Sequence, residues 1–273
     1  MFNNISLQAK GLVTLANKKQ NISSSDTKVV VITSGKGGVG KSTITANIAY
    51  LLSQKGKKVA VLDADIGLAN LQVLFDIRPK YTFFDYIDGK CQFDDILLQT
   101  GYKNITLIAG KSGYQYTKNS NSMLFSSIVH NIISLDKYDI LLIDTGAGLS
   151  EHVQEFLELS NNIVAVTTTD PSALTDVYAL MKMLSLKKEK LMLCFNHTSK
   201  YDTGEAITKS LINLAIKNQL NRKFMVQYLG NISQMKSISI TGRLRKLFAK
   251  ELKKEVASKE LNMVINNLIE EVR

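Results

Sequence analysis

Gly35-Lys36-Gly37-Gly38-Val39-Gly40-Lys41-Ser42-Thr43 follows the apolar run Val29-Val30-Val31-Ile32 after only Thr33 and Ser34. A β-branched run of this kind reads as a buried strand, and a glycine-rich turn ending in Lys-Ser-Thr reads as its exit toward a helix. Glycine has no Cβ, so the successive backbone N–H groups of this loop can close around phosphate oxygens. Lys41 is placed to reach β- and γ-phosphates, and Ser42 to offer its hydroxyl to Mg²⁺. The helix that follows would direct its positive end at the anion. The stretch predicts a nucleoside triphosphate site.

Outward from the loop, short apolar runs alternate with amphipathic segments. The runs predict strands at Lys28–Thr33, Lys58–Asp63, Ile105–Ala109, Tyr138–Asp144, Ile163–Thr168, Lys190–Asn196 and Met225–Leu229. Near-continuous apolar strands separated by helical stretches indicate a parallel sheet covered on both faces. The expected fold is α/β: a single doubly wound, mainly parallel sheet of about seven to eight strands with helices on both faces, of P-loop NTPase type. Ligands then belong at the carboxyl ends of the strands. Residues 1–27 read as an extension, with a short helical pattern (Ile5, Leu7, Leu12, Leu15) and a polar linker from Asn21 to Asp26. Residues 28–240 read as the nucleotide-binding domain. Residues 241–273 read as helices that either pack on the core or touch a membrane.

Composition narrows the partners. With 273 residues and 45% hydrophobic content the chain can bury a substantial core. Cys91 and Cys194 lie far apart in settings without metal or disulfide spacing, which fits a reducing compartment. No charged-then-apolar leader is visible, and no apolar run approaches the ~20 residues that cross a bilayer. A cytoplasmic protein is expected. The net charge of +10 comes from lysines spread along the chain, with local runs at Lys187-Lys188 and from Arg243 to Lys254. That spread reads as a solvated surface rather than a DNA site. His130, His152 and His197 show no ligand spacing, and Met181 and Met183 read as core filler.

Three carboxylates complete the expected site. Asp144 ends the run Ile140-Leu141-Leu142-Ile143 and opens Asp-Thr-Gly-Ala-Gly. At a strand tip beside the phosphate loop it can hold Mg²⁺ through water, with Gly146 bringing an amide near the γ-phosphate. Asp63 and Asp65 close the second strand, and alternation along an extended segment puts both on one side. Asn196 follows Leu191-Met192-Leu193-Cys194-Phe195; its amide can pair with the edge of adenine. Related GTPases carry Asn-Lys-x-Asp at such a place, whereas this chain has Asn196-His197-Thr198-Ser199, which favours ATP.

The second lysine inside the loop, Lys36, makes the pattern resemble the deviant Walker A of the MinD/ParA family of ATPases. The resemblance implies a homodimer that sandwiches two ATP molecules, with Lys36 reaching the nucleotide of the other protomer. It assigns Asp65, supported by Asp63, to the metal and attacking-water network, and makes Asp144 and Ser42 the remaining Mg²⁺ contacts. Asp170-Pro171-Ser172-Ala173-Leu174-Thr175-Asp176 is similar to the family segment lining the nucleotide and dimer face, which implicates Asp170 and Asp176. Within the family, Asp63 to Leu71, Pro79 to Thr82 and Asp170 to Tyr178 are similar to the FlhG (YlxH, FleN) group, which controls flagellar number and placement. That likeness implies an SRP-like GTPase of FlhF type and flagellar C-ring proteins as partners, at the inner membrane face or the cell pole. Gln8, Ala9 and Leu12 match part of the group's GTPase-activating element, while Leu7 and Val13 depart from it. The alternatives implied are ParA-like DNA partitioning, MinD-like division-site selection, or a nucleotide-gated adaptor with negligible turnover.

Overall fold

The computed structural model describes residues 26–67, 69–113, 124–199 and 203–272. Eight strands form one sheet: β1 (Lys28–Ser34), β2 (Val59–Ala64), β3 (Leu98–Gln99), β4 (Ile105–Ile108), β5 (Ile140–Ala147), β6 (Asn162–Thr167), β7 (Lys190–Thr198) and β8 (Met225–Ser233). Their order is β3-β4-β2-β5-β1-β6-β7-β8. Every neighbouring pair is parallel except β3–β4. The seven strands expected from apolar runs are all present. The eighth, β3, is two residues long, too short for any periodicity to show in sequence.

The helices are α1 (Lys41–Gln54), α2 (Leu71–Leu74), α3 (Phe83–Ile87), α4 (Leu124–Ser134), α5 (Glu151–Glu158), α6 (Pro171–Leu184), α7 (Thr203–Lys217), α8 (Lys236–Arg243), α9 (Phe248–Glu251) and α10 (Val256–Glu271). Alternation within each strand sends side chains to two separate cores. Val30, Ile32, Val61 and Leu142 join Ile44 and Ile48 of α1 and Leu261 and Val264 of α10. Val31, Leu62, Leu141 and Ile143 join Phe125 of α4, Phe156 of α5, Leu180 of α6 and Leu211 of α7. Because both faces are covered, β1 carries no polar alternation until Thr33. Truncating a fully buried side chain such as Ile32 to Ala would cost about 2–5 kcal/mol.

The end of the described chain belongs to the first core. α10 packs on β8 and α1 and buries Leu261, Val264, Ile265 and Leu268. Its buried Glu260 accepts from the Ser233 N–H at 2.7 Å and the Ser233 hydroxyl at 2.8 Å, so the carboxylate is satisfied at the end of β8. Ile240, Leu244 and Val256 are exposed instead. Among the described residues no helix is long and apolar enough to cross a membrane. The partial activating element around Gln8 lies outside the described residues.

Candidate functional site

β1 sits between β5 and β6 and delivers the phosphate loop to the carboxyl edge of the sheet, where β2, β5 and β7 also end. Gly40 is the residue before α1, with φ +87°, a left-handed state that favours glycine. A Cβ there would also lie 2.4 Å from Asn196 Nδ2. Gly35 is closed in from the other side, because its Cβ would stand 2.5 Å from Asp176 Cβ. No side chain caps α1. Its unpaired first-turn N–H groups therefore remain donors for an anion, which is what a phosphate cradle needs. Residues 37–43, with Asp65, Asn196 and Ala147, line a cavity of about 650 Å³, a volume suited to a nucleotide-sized ligand.

Lys41 points into this wall and is almost wholly buried. Its Nζ stands 3.1 Å from Asp144 Oδ1, and the same oxygen accepts from the Thr45 hydroxyl at 2.8 Å. Thr45 is one helical turn beyond Lys41, so α1 presents both partners on one face. Asp144 Oδ2 is buried and has no hydrogen-bond partner. Asp144 and Gly146 do not line the cavity themselves. The unpaired Asp144 oxygen beside an ammonium and an uncapped helix start is a donor set that suits Mg²⁺ and a triphosphate.

The two expected carboxylates of the second strand part company. Strand β2 stops at Ala64, so the alternation that would align Asp63 with Asp65 does not extend to Asp65. Asp63 is fully buried and does not line the cavity. It accepts from the N–H groups of Leu71 (3.0 Å) and Asp65 (3.4 Å), and so shapes the loop between β2 and α2. The β2–β5 register puts Asp63 directly beside Asp144. Burial first, and then the Asp144 charge, push its carboxyl up to about 7, against the pull of the two backbone donors and Lys41. Asp65 does line the cavity; its Oδ1 accepts from the Gly67 N–H at 3.0 Å and approaches Gly146.

Four other expected contacts sit differently from the sequence reading. Asn196 lines the cavity, yet its amide nitrogen donates to the Val39 carbonyl at 2.8 Å. The donor expected to read adenine is thus engaged in bracing the phosphate loop. Asp170 and Asp176 do not line the cavity. Asp170 caps α6, accepting from the Ser172 hydroxyl and from the Ser172 N–H at 2.9 Å, and those hydrogen bonds hold its carboxyl below the usual range. Asp176 packs its Cβ behind Gly35. Lys36 is also outside, with Nζ 2.5 Å from Ser172 Oγ.

Some lining residues carried no sequence signal. His197, with φ +56° and its ring beside Gly40, also lines the cavity, as do Ile238, Ser239 and Gly242 of α8. The ring of His152, which shows no ligand spacing in the sequence, lies beside Gly146 and is held below its usual pKa by burial, with Asp65 opposing. Thr45 was findable, one turn after Lys41.

A family model described as "ParA: NUBPL iron-transfer P-loop NTPase" matches residues 25–269. The chain belongs to the ParA/MinD family of P-loop NTPases. It is 35% identical over 269 residues to the flagellum site-determining protein YlxH of Helicobacter pylori, covering 98% of this chain and 90% of that relative. The antiactivator FleN of Pseudomonas aeruginosa is 36% identical over 168 residues, 61% of this chain and 60% of FleN. The fold is that of the Pyrococcus furiosus cell division ATPase MinD, with a TM-score of 0.76 at 23% identity over 90% of this chain and 99% of MinD. It also matches Pyrococcus horikoshii MinD complexed with Mg-ADP, with a TM-score of 0.74 at 21% identity over 89% of this chain and 96% of that one. This ParA/MinD-type chain therefore has the fold of these structures at low sequence identity.

Proposed function

We propose that this chain is a MinD-like ATPase acting as an ATP-gated dimerisation switch in flagellar number and placement. The observation that carries the reading is Lys41, held 3.1 Å from Asp144 at an uncapped helix start. It occurs in a chain similar to YlxH over 98% of its length. Residues 35–43 would hold the triphosphate, with the Gly146 amide near its γ end. Ser42, Asp144 and Asp65 would hold Mg²⁺, which when bound offsets phosphate charge. Asp65, set in place by Asp63, would orient the attacking water, and Lys36 of one protomer would face the other's phosphates. Asn196 and α8 would enclose the base.

Because each triphosphate would touch both protomers, dimer affinity would depend on nucleotide. Slow, partner-stimulated hydrolysis to ADP and phosphate would reset the switch. An FlhF-type SRP-like GTPase and flagellar C-ring proteins are the partners this reading names, with the dimer in the cytoplasm, at the inner membrane face or at the pole. Lys41→Ala should abolish ATP binding, whereas Asp65→Ala should bind ATP and accumulate as dimer. Phosphate release together with sedimentation velocity measures both, and an unchanged hydrolysis rate in Asp65→Ala would remove that residue's role. A ParA-like reading draws on the seven Lys and Arg residues between Lys236 and Lys254. It requires ATP-dependent DNA binding that falls steeply with salt.

A further inference from the structure

Strand β8 ends the sheet: β7 pairs with one of its edges, and among the described residues no strand pairs with the other. A free edge offers backbone N–H and C=O groups to any extended chain, so proteins usually cover it. α10 covers the second half of this one. Asn267 donates to the Leu229 carbonyl at 2.8 Å, and Glu260 accepts from the Ser233 N–H at 2.7 Å. The first half is treated differently. The Met225 N–H donates inward to the Glu189 carbonyl, just before β7, so alternation turns the N–H and C=O of Val226 outward. Beside them lies a cavity of about 1060 Å³, in which Ile212 and Ile216 of α7, with Leu220 and Phe224, face Met225 and Val226. Ile216 is 70% exposed and Met225 59%, so this trough leaves apolar surface in water. Arg222 lines its end, with Lys217 and Lys223 exposed nearby in the chain, and no carboxylate is among the described lining residues.

We propose that the open half of β8 accepts an extended, acidic segment of a partner polypeptide as an added strand. The Val226 N–H and C=O supply two backbone hydrogen bonds to it. The trough takes its alternate apolar side chains, and the cations between 217 and 223 meet its carboxylates. Apolar lining suits a peptide better than a nucleic acid. Two copies of this cationic rim would repel each other, which favours an acidic partner over a second copy of the chain. The trough shares no lining residue with the nucleotide cavity, so it stands or falls apart from the proposed switch.

The test is fluorescence anisotropy of a short labelled peptide of alternating valine and glutamate, added to the full chain. Two control peptides carry lysine in place of glutamate, or methylated backbone nitrogens at the centre that cannot donate. The glutamate peptide should bind, and each control should bind about tenfold more weakly. Ile216→Asp, at an exposed position that spares the fold, should weaken the glutamate peptide about tenfold. Val226→Pro removes the outward N–H from an edge that tolerates proline, and should weaken it about fivefold. If the thermal midpoint shows that Val226→Pro has damaged the sheet, the methylated peptide and Ile216→Asp decide. No binding, equal binding of the three peptides, or equal binding by parent and Ile216→Asp overturns the proposal. Displacement of the peptide by single-stranded DNA overturns it in favour of a nucleic acid. A dimer in sedimentation velocity that Val226→Pro dissolves gives the edge to a second copy and overturns it as well.

Discussion

Lys41 and Lys36 belong to one nine-residue motif, and their surroundings differ in nearly every respect. Lys41 is 6% exposed and its ammonium meets a fully buried carboxylate, whereas the Lys36 side chain is 46% exposed and meets a carboxylate that is itself 54% exposed. Attraction between buried charges is strong, and removing one partner strands the other in low dielectric. Attraction between exposed charges is screened and worth little to the fold. One motif therefore contains a buried cation that belongs to the architecture and an exposed one whose contacts weigh little in the fold.

The largest test of that contrast is Lys41→Ala. It leaves Asp144 buried without its cation and should destabilise the chain by about 3–5 kcal/mol, read as a lower urea midpoint at neutral pH. A midpoint equal to the parent's would mean that Asp144 finds another partner. The next effect concerns Asp63, whose carboxyl is pushed up to about 7 by burial and Asp144. Its folded pKa lies above the unfolded value near 4, so the folded chain holds the extra proton between the two. The stability this group contributes is complete below about 4 and is lost as pH rises through about 7. Asp63→Asn should flatten the urea midpoint between pH 5 and 7.5, and parallel curves for parent and variant would exclude Asp63 as the source.

Smaller still is Thr45→Val, which removes the 2.8 Å hydrogen bond to Asp144 while keeping the shape of the side chain. It should cost about 1–3 kcal/mol and leave the fold intact. A loss as large as that of Lys41→Ala would show that the hydroxyl, not the ammonium, dominates the buried cluster. Lys36→Ala should move the thermal midpoint by less than about 2 °C, because its contacts are exposed. A drop comparable to that of Lys41→Ala would dissolve the distinction between the two lysines.

Much of the fold was legible in the chain because its strands are buried on both faces and appear as unbroken apolar runs, as at Val29–Ile32 and Ile140–Ile143. Strand β3 was not, since two residues carry no period. In the site, Gly40, Lys41, Ser42 and Asp144 were visible as types at the end of a strand or the start of a helix. Asp63 and Asp65 were read onto one side because period-two alternation was carried past the last strand residue, Ala64. The bracing role of Asn196 was hidden because it is a bond to Val39, 157 positions away. The wall supplied by α8 was hidden for the same reason.

The chain's own order of residues determined the phosphate loop, the parallel sheet and the acidic strand end beside it, because each depends on neighbours in sequence and on backbone stereochemistry. Only tertiary packing decided which carboxylate is sealed beside Asp144, which faces the cavity, and where Lys36 rests. Those outcomes depend on meetings between residues as far apart as Lys36 and Ser172, 136 positions along the chain. Burial and charge at such meetings are properties of the folded surroundings, and no local pattern encodes them.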